Sequence, residues 1–199
     1  MTSPTNASDK PAIRSGILEK YRKVAVSAEG LFRYPVGEES ALGLGYPRDL
    51  VTAIPPPVRE RFVGVGNPFA LGPVGRGEAV LDLGCGAGFD AFIAADLVGP
   101  RGRVVGVDLS PEMLAVAEMG RRAAGLGHVQ FREASVEALP LADTSFDVAL
   151  CNGLFSLVPD KPAALREILR VLRPGGRLQV CDMGLTDDAL IPENAPWSD

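Results

Sequence analysis

The stretch of sequence that decides the fold is Ala79-Val80-Leu81-Asp82-Leu83-Gly84-Cys85-Gly86-Ala87-Gly88-Phe89-Asp90. Its first five residues form an apolar run of strand length and predict a buried β-strand. Three glycines at every second position follow, and a helical segment begins at Phe89. Glycine lets the backbone turn tightly and approach a ligand that a side chain would block. The stretch therefore predicts a strand, a ligand-binding glycine loop and a helix.

The rest of the chain from residue 78 onward repeats this alternation of strands and helices. Further strands are predicted at 104–107, 129–132, 146–151 and 178–181, and further helices at 111–124 and 162–172. Ser110 and Pro111 are typical of a helix N-cap and first turn. Nearly continuous apolar strands that alternate with helices predict an α/β fold with a doubly wound parallel sheet. Ligands of such sheets bind outside the carboxyl ends of the strands.

The glycine loop differs from two well-known phosphate-binding loops. Phe89 stands where a dinucleotide fingerprint has its third glycine, and no Lys-Ser or Lys-Thr pair follows the loop. Asp108, at the end of the second predicted strand, is placed to accept hydrogen bonds from a ribose diol. Two structural alternatives remain at this point. The loop could be an ordinary strand-to-helix turn, and Asp108 could be an ordinary turn aspartate.

Composition and charge exclude several classes of protein. The 199 residues include 20 Lys and Arg against 25 Asp and Glu, so the formal net charge is −5 and nucleic acid is not expected as a partner. The long uncharged stretch 148–159 is too short to span a membrane. Three cysteines without paired spacing predict neither disulfides nor a metal site. We expect a soluble cytoplasmic protein without a membrane partner.

Four segments are expected along the chain. We predict a disordered N-terminus at 1–15, an N-terminal helix and a Gly/Pro-rich cap at 16–77, the α/β domain at 78–183 and a C-terminal tail at 184–199. The helix is expected at 16–27, and short helical turns near 48–53 and 58–62. The many Gly and Pro residues of 35–77 leave a flexible linker open as an alternative. The aromatic residues there favour a packed irregular cap over the substrate.

The motifs of 78–182 together resemble those of class I S-adenosylmethionine-dependent methyltransferases. The residues that carry the resemblance are the glycine loop, Val107-Asp108, Ala138-Leu139-Pro140, Ser145-Phe146-Asp147 and 170–176. The resemblance implies S-adenosylmethionine as cofactor and a Rossmann-like sheet. It also implies the binding residues, namely Asp82, Gly84, Cys85, Gly86 and Gly88 around the methionine, Asp108 at the ribose, Leu109, Met113, Ser135, Val136 and Glu137 around the adenine, and Asn152 beside the amino acid end. Ser135 stands where the family usually has an aspartate.

A closer resemblance is to the arsenite methyltransferases. It is carried by Gly88-Phe89-Asp90-Ala91-Phe92, 136–140, 159–162 and Gly66-Asn67-Pro68. The family binds trivalent arsenic through thiolates, but Val65 and Gly153 stand where it has cysteines. We therefore expect methyl transfer to a different small molecule, with Phe62, Val65, Asn67 and Gly153 near the substrate and no metal. A new thiol cluster of Cys85, Cys151 and Cys181 is a weaker alternative, and no catalytic residue is predicted.

The chain is short for the fold that it resembles. After residue 183 only a short tail remains, whereas the family's sheet continues with two more strands, so the last two strands are expected to be missing. The fifth strand would then be an open edge, which we expect the tail, the cap or a second copy of the chain to cover. A fragment of a longer protein is the alternative. A cofactor-binding protein without turnover is the alternative function.

Overall fold

A computed structural model of the chain describes residues 10–184. Five parallel strands form one sheet in the order β3-β2-β1-β4-β5. The strands are β1 (Ala79–Leu83), β2 (Arg103–Asp108), β3 (Val129–Glu133), β4 (Phe146–Asn152) and β5 (Leu172–Cys181). The chain crosses from β3 at one edge to β4 on the other side of β1, which confirms the prediction of a doubly wound α/β sheet.

Seven α-helices accompany the sheet within the described part of the chain. They are α1 (Lys10–Val26), α2 (Gly37–Gly43), α3 (Arg48–Ala53), α4 (Pro56–Arg59), α5 (Phe89–Val98), α6 (Pro111–Ala123) and α7 (Lys161–Val171). Short 3₁₀ helices lie at Pro68–Leu71 and Phe155–Leu157. Helix α1 begins at Lys10, so residues 10–15 of the segment predicted to be disordered are helical. Residues 1–9 lie outside the described residues.

Local capping explains where the helices of the α/β domain begin. The Ser110 side chain accepts a 3.2 Å hydrogen bond from the Met113 amide at the start of α6. At the start of α7 the Asp160 side chain accepts a 3.0 Å hydrogen bond from the Ala163 amide. Both bonds satisfy amides that a helix's first turn leaves without a partner. The capping residue predicted at Ser110 is confirmed.

Each face of the sheet is covered by a separate apolar cluster. Helix α7 packs on one face through Ala164, Ile168 and Val171, against side chains of β1, β2 and β4. Helix α5 packs on the other face, where its alanines meet Val80, Val104 and Val148. All five residues of β1 are buried, as expected for the central strand of a parallel sheet.

The cap, residues 16–77, is a packed structure. Its buried side chains, among them Val24, Val51 and Val58, form one apolar cluster with α5 and α6. Tyr46 packs edge-on against two phenylalanine rings, with centroids 5.5 Å from Phe62 and 5.3 Å from Phe89. Such aromatic contacts stabilise the cap beyond the burial of surface alone. This packing fits the packed-cap expectation and not the linker alternative.

Strand β5 begins earlier than the sequence predicts. The prediction placed it at 178–181, but Leu172 already pairs with Phe146, and Arg177 pairs with Val148. The four residues between them form a bulge, because a single residue separates the same pairs on β4. Gly175 in this bulge has a φ of +80°, a conformation that glycine adopts without strain.

The cap covers one face of β5. The 3₁₀ helix Pro68–Leu71 packs against β4 and β5, and Gly72 lies so close to Gln179 that a Cβ there would be 2.7 Å from its Nε2 atom. Within residues 10–184 the backbone of β5 pairs with β4 alone. Coverage of the edge by a second copy stays a prediction, and most of the predicted tail lies outside the described residues. No helix within 10–184 is both long enough and apolar enough to cross a membrane.

Candidate functional site

The glycine loop connects β1 to α5 at the carboxyl end of the sheet. Gly84, Gly86 and Gly88 have φ values of +66°, +52° and +90°, in the left-handed region that other residues rarely adopt. The loop is fixed to the neighbouring strand β2 by a 3.0 Å hydrogen bond from the Cys85 amide to the Val107 carbonyl. The three glycines therefore shape a backbone wall without side chains.

The Asp108 carboxylate lies at the end of β2 beside this loop. Its Oδ2 accepts a 2.8 Å hydrogen bond from the Gly86 amide, and its Oδ1 accepts one of 2.8 Å from the Ser110 amide. Burial raises the pKa of Asp108, although these two amides oppose the shift. The carboxylate thus holds the loop and the start of α6 while it faces the space in front of the sheet.

The Asp82 side chain, in β1 below the loop, is buried with only 2% of its surface exposed. It accepts a backbone hydrogen bond from Ala91, yet no group among residues 10–184 donates to its Oδ2 atom. Burial raises the pKa of Asp82 well above its ordinary value, and the carboxylates of Asp90 and Asp108 add to the shift. A buried acceptor without a donor is costly, so this atom indicates a place for a ligand's donor group.

The third carboxylate, Asp90, belongs to a hydrogen-bonded network between α5, β4 and the cap. Tyr46 donates its hydroxyl proton to Asp90 Oδ1 at 2.5 Å, and Asn152 Nδ2 donates to Asp90 Oδ2 at 3.0 Å. Burial raises the pKa of Asp90 to about 6, although both hydrogen bonds favour the ionised form. Burial, followed by the Asp90 charge, raises the pKa of Tyr46, so its hydroxyl stays protonated.

Asn152 also holds the cap against the sheet. Its Oδ1 atom accepts hydrogen bonds from the amides of Val65 and Gly66, at 2.9 and 3.1 Å, and its Nδ2 atom donates to the Gly66 carbonyl at 2.9 Å. The prediction placed Asn152 beside the cofactor's amino acid end. It does line the space in front of the sheet, but its amide is already engaged by the cap and Asp90.

The loop after β3 closes the opposite side of the site. Val136 is buried in the core, whereas the Glu137 carboxylate accepts hydrogen bonds from the Asp160 amide at 2.9 Å and the Ser135 hydroxyl at 3.3 Å. Glu137 thus connects this loop to the start of α7. Met113 from α6 completes the wall, because its Cε atom would lie 3.1 Å from a Cβ on Gly86.

These groups line one cleft at the carboxyl ends of β1, β2 and β4. The cleft holds about 1050 Å³ of space, part of it open to solvent. The structure brings together most of the predicted residues there, namely Phe62, Asp82, Gly84, Cys85, Gly86, Asp108, Leu109, Met113, Ser135, Val136, Glu137, Asn152 and Gly153.

Three residues predicted for the site lie outside the wall of the cleft. Gly88 is the N-cap of α5, where a Cβ would lie 2.7 Å from the Phe131 ring, so it shapes the turn from behind. Asn67 caps the 3₁₀ helix by accepting a hydrogen bond from the Phe69 amide at 3.1 Å. Val65 lines a neighbouring cavity instead.

Sequence reasoning missed the part of the cleft wall that α1 supplies. Ile17, Leu18 and Tyr21 line the cleft, because α1 lies across its mouth. Arg61 fixes this position by donating hydrogen bonds to the carbonyls of Ala25 at 2.6 Å and Val26 at 2.8 Å. The amphipathic pattern of α1 could have indicated that it packs, but not against which surface.

The three thiols do not form a cluster. Cys151 packs into the core on the α7 face of the sheet, whereas Cys181 lies against Gly66 of the cap. Within residues 10–184 no group of three His, Cys, Asp or Glu side chains could hold a metal ion. Burial raises the pKa of Cys85 and Cys181, and that of Cys151 to about 12. Because they lie apart, the three described thiols do not form a joint site for a soft metalloid.

The charge of the cleft indicates what it can hold. None of the ion pairs found among residues 10–184 involves Asp82, Asp90 or Asp108. The buried carboxyl groups of Asp82 and Asp90 and the half-buried one of Asp108 favour a ligand that carries positive charge and hydroxyl or amino donors. Arg61 also lines the cleft, but it bonds to carbonyl groups of α1 and Pro57. A doubly wound sheet with a glycine loop and a carboxylate at the next strand end defines a nucleoside-cofactor-binding α/β protein.

Comparison with known proteins narrows this class. The family model described as a methyltransferase domain matches residues 75–198. An arsenite methyltransferase from Halobacterium salinarum is 42% identical over 140 residues, which are 70% of this chain and 36% of that protein. A 2-phytyl-1,4-naphtoquinone methyltransferase from Synechococcus elongatus is 40% identical over 108 residues, 54% of this chain and 46% of that protein. The chain thus spans less than half the length of these two relatives.

A solved structure agrees with these matches. CrArsM, an arsenic(III) S-adenosylmethionine methyltransferase from Chlamydomonas reinhardtii, superimposes with a TM-score of 0.61 at 40% identity, over 66% of this chain and 46% of that one. The chain belongs to the methyltransferase domain family. The open acceptor on Asp82 and the carboxyl groups without ion-pair partners suit the amino, sulfonium and ribose groups of S-adenosylmethionine, the cofactor named for the Chlamydomonas protein.

Proposed function

We propose that the chain binds S-adenosylmethionine in the cleft and transfers its methyl group to a small molecule. The observation that carries this proposal is a set of three carboxyl groups around the glycine loop, the buried Asp82 and Asp90 and the half-buried Asp108, none of which takes part in an ion pair found among the described residues. S-adenosylmethionine supplies the positive charge and the hydrogen-bond donors that these carboxyl groups lack, because it carries a sulfonium, an ammonium and two ribose hydroxyls.

The residues suggest how the cofactor would be held. Asp108, at the end of β2, would accept hydrogen bonds from the ribose, and the free Oδ2 atom of Asp82 would accept one from the amino group. The backbone of Gly84 and Gly86 allows the close approach of the methionine part. Leu109 and Met113 supply an apolar surface for the adenine.

The chemistry depends mainly on positioning. When bound, the cofactor supplies an electrophilic methyl group on a positively charged sulfur. The chain's part is to hold the acceptor in line with this group and to exclude water. The histidine of the chain lies elsewhere, with His128 Nε2 3.2 Å from the Ala95 carbonyl oxygen. The described residues of the cleft therefore favour an acceptor that needs no strong base.

The acceptor is proposed to differ from arsenite, although arsenite methyltransferases are among the relatives. A trivalent arsenic acceptor needs several soft sulfur ligands that converge on it, and the three described cysteines lie apart from one another. The alternative is a cofactor-binding protein with little or no turnover. One observation favours this alternative. The side-chain amide of Asn152, which was predicted to lie beside the cofactor, makes all its hydrogen bonds to the cap and to Asp90.

Calorimetric titration with S-adenosylmethionine tests the shared part of both functions. We expect binding by the wild type, a loss of affinity of at least tenfold in Asp108→Ala, and unchanged affinity in Asp96→Ala, which removes an exposed aspartate from α5. A mass-spectrometric screen with phenols, quinols, thiols and arsenite then tests turnover. Absence of binding at millimolar cofactor would contradict both functions, and binding without any methylated product would leave the alternative.

A further inference from the structure

A second cavity adjoins the cofactor cleft on the side of the cap. It is smaller, about 570 Å³ including space open to solvent. Five residues line both cavities, namely Ile17, Tyr21, Val63, Gly153 and Leu157. The two spaces are therefore neighbours that share a wall, and a molecule in the second cavity would lie beside a ligand of the cleft.

The shared wall fixes which end of the cleft the second cavity adjoins. Gly153 directly follows Asn152 at the end of β4, and Val63 lies in the cap segment that Asn152 holds. The loop with Ser135 and Glu137 lines the cleft but not the second cavity. The second cavity is thus on the side of Asn152 and away from the side where the adenine is proposed to lie.

The wall of the second cavity is mostly aromatic and aliphatic. Phe32 and Tyr34 form a tilted pair with ring centroids 5.1 Å apart, and Tyr21 supplies a third ring. Val63, Val65 and Leu157 supply aliphatic surface. None of the three cysteines contributes to this wall, where Met183 supplies the sulfur atom and Lys20 the cationic group.

Two positions in this wall are adjacent and both are apolar. A Cβ built on Gly153 would lie 3.6 Å from both Cγ atoms of Val65. The absence of a side chain at Gly153 leaves room directly in front of the valine. This pair brings the cap and the end of β4 together at an apolar part of the wall.

From this juxtaposition we propose that the second cavity binds the methyl acceptor and that the acceptor is a planar aromatic molecule of one or two rings. The inference rests on the proposed function, since it assigns the partner of the cofactor in the neighbouring cleft. The rings of Phe32 and Tyr34, tilted by 44° to each other, supply aromatic contacts to the acceptor, and Val65 and Gly153 line the wall beside it. The Lys20 ammonium lies over the Phe32 ring, 4.6 Å from its centroid. The Tyr21 hydroxyl, on the wall that both cavities share, donates to a polar atom of the acceptor. Burial raises the pKa of Tyr21, so this hydroxyl remains a donor.

Binding of 2-naphthol, followed by ligand-observed NMR without cofactor, tests the assignment. We expect the wild type to bind 2-naphthol, and Phe32→Ala and Val65→Phe to weaken binding at least tenfold, the first by loss of aromatic contacts and the second by filling the cavity. Val26→Phe is the matched control, because Val26 is 78% exposed and outside both cavities. It should bind like the wild type.

Titration of the same proteins with S-adenosylmethionine distinguishes failure of the cavity assignment from failure of the proposed function. All three variants should bind S-adenosylmethionine within twofold of the wild type, which shows that they are folded. If the wild type binds the cofactor but not 2-naphthol, or if Val65→Phe binds 2-naphthol unchanged, the assignment of this cavity is wrong while the proposed function stands. Binding of sodium arsenite to the wild type in competition with 2-naphthol would also overturn the aromatic class. Failure of the wild type to bind the cofactor contradicts the proposed function instead.

Discussion

The side chain of Asn152 pairs with both backbone polar groups of Gly66. Its Oδ1 atom accepts the Gly66 N–H at 3.1 Å, and its Nδ2 atom donates to the Gly66 carbonyl at 2.9 Å. This pairing joins residues 86 positions apart and fixes the cap segment that lines both cavities. One amide therefore determines the distance between the cap and the carboxyl end of β4.

Asn152→Ala should lower the free energy of unfolding by about 3 kcal/mol, because it leaves several partly buried polar groups of Val65, Gly66 and Asp90 without a partner. Urea denaturation measures this change. Asn67→Ala is the control, since it removes a cap side chain that bonds the Phe69 amide and the Gly45 carbonyl outside the carboxylate cluster. It should cost about 1 kcal/mol. Equal losses in both variants would show that Asn152 has no special role.

The buried Asp90 carboxyl should make the protein less stable as pH rises. Its pKa is about 6 in the folded state and near 4 in an unfolded chain, so between these values the folded state binds the extra proton. The free energy of unfolding then falls from pH 4 to pH 6, by about 3 kcal/mol from this group. Carboxylates with a lowered pKa, such as Glu118 at about 2, have the opposite effect at lower pH. There the free energy of unfolding falls as the pH falls.

Asp90→Asn isolates the contribution of this group. The variant should flatten the fall of stability between pH 4 and pH 6, as measured by urea denaturation at several pH values. Asp82 is coupled to Asp90 and its pKa is also raised, so some slope should remain above pH 6. Asp96→Asn, on the exposed side of α5, should leave the wild-type profile unchanged. A profile of Asp90→Asn that matches the wild type would show that Asp90 is not the titrating group.

The sequence predicted those parts of the site that short-range chemistry determines. The positive φ values of Gly84 and Gly86 follow from the tight turn between strand β1 and helix α5 that the glycine spacing predicted. Such a turn has a recognisable glycine spacing. The start of α6 was predicted for the same reason, because Ser110 caps the helix that begins at the next residue and bonds an amide only three residues ahead.

The parts that sequence reasoning missed depend on contacts between distant segments. The engagement of Asn152 by the cap and the position of α1 across the cleft join residues that are tens of positions apart. An apolar helix face shows that α1 packs, but many surfaces would satisfy it. The prediction of where β5 starts was wrong for a different reason. Pro174-Gly175-Gly176 predicted a turn before the strand, whereas the ladder resumes around it as a bulge.

Gly88→Ala should be far more destabilising than alanine at another glycine with the same backbone conformation. Gly88 has a φ of +90°, and a Cβ there would lie 2.7 Å from Phe131 and 3.3 Å from Ala117. Strain and overpacking together should cost about 3 kcal/mol. Gly125, with a φ of +65° and no atom within 4 Å of its Cβ position, should cost only about 1 kcal/mol.

Urea denaturation of both glycine variants measures the difference. Phe131→Leu in the Gly88→Ala background should recover part of the loss, because the smaller side chain makes room for the Cβ. The coupling in this double-mutant cycle should be about 1 kcal/mol or more. If Gly88→Ala and Gly125→Ala lose equal stability, contact with Phe131 plays no part.

Arg61 should control how firmly α1 closes the cleft. Its guanidinium donates to the carbonyls of Ala25 and Val26 at the end of α1, and to Pro57 at 2.7 Å. Loss of these charge-assisted bonds in Arg61→Ala should speed local opening of α1 by about tenfold or more. Hydrogen exchange of the peptide that covers α1, followed by mass spectrometry, measures this rate. Arg61→Lys should rescue little, because one ammonium cannot reproduce a fork that reaches three carbonyls.

Arg59 provides the matched control for this experiment. Its guanidinium bonds the carbonyls of Thr52 and Ile54 and pairs with Glu38 at 3.0 Å, all within the cap. Arg59→Ala should therefore leave exchange in α1 close to the wild-type rate. Since Tyr21 and Leu18 of α1 line the cleft, Arg61→Ala should also weaken S-adenosylmethionine binding, whereas Arg59→Ala should not. Faster exchange in α1 with unchanged cofactor affinity would show that α1 covers the cleft without contributing to binding.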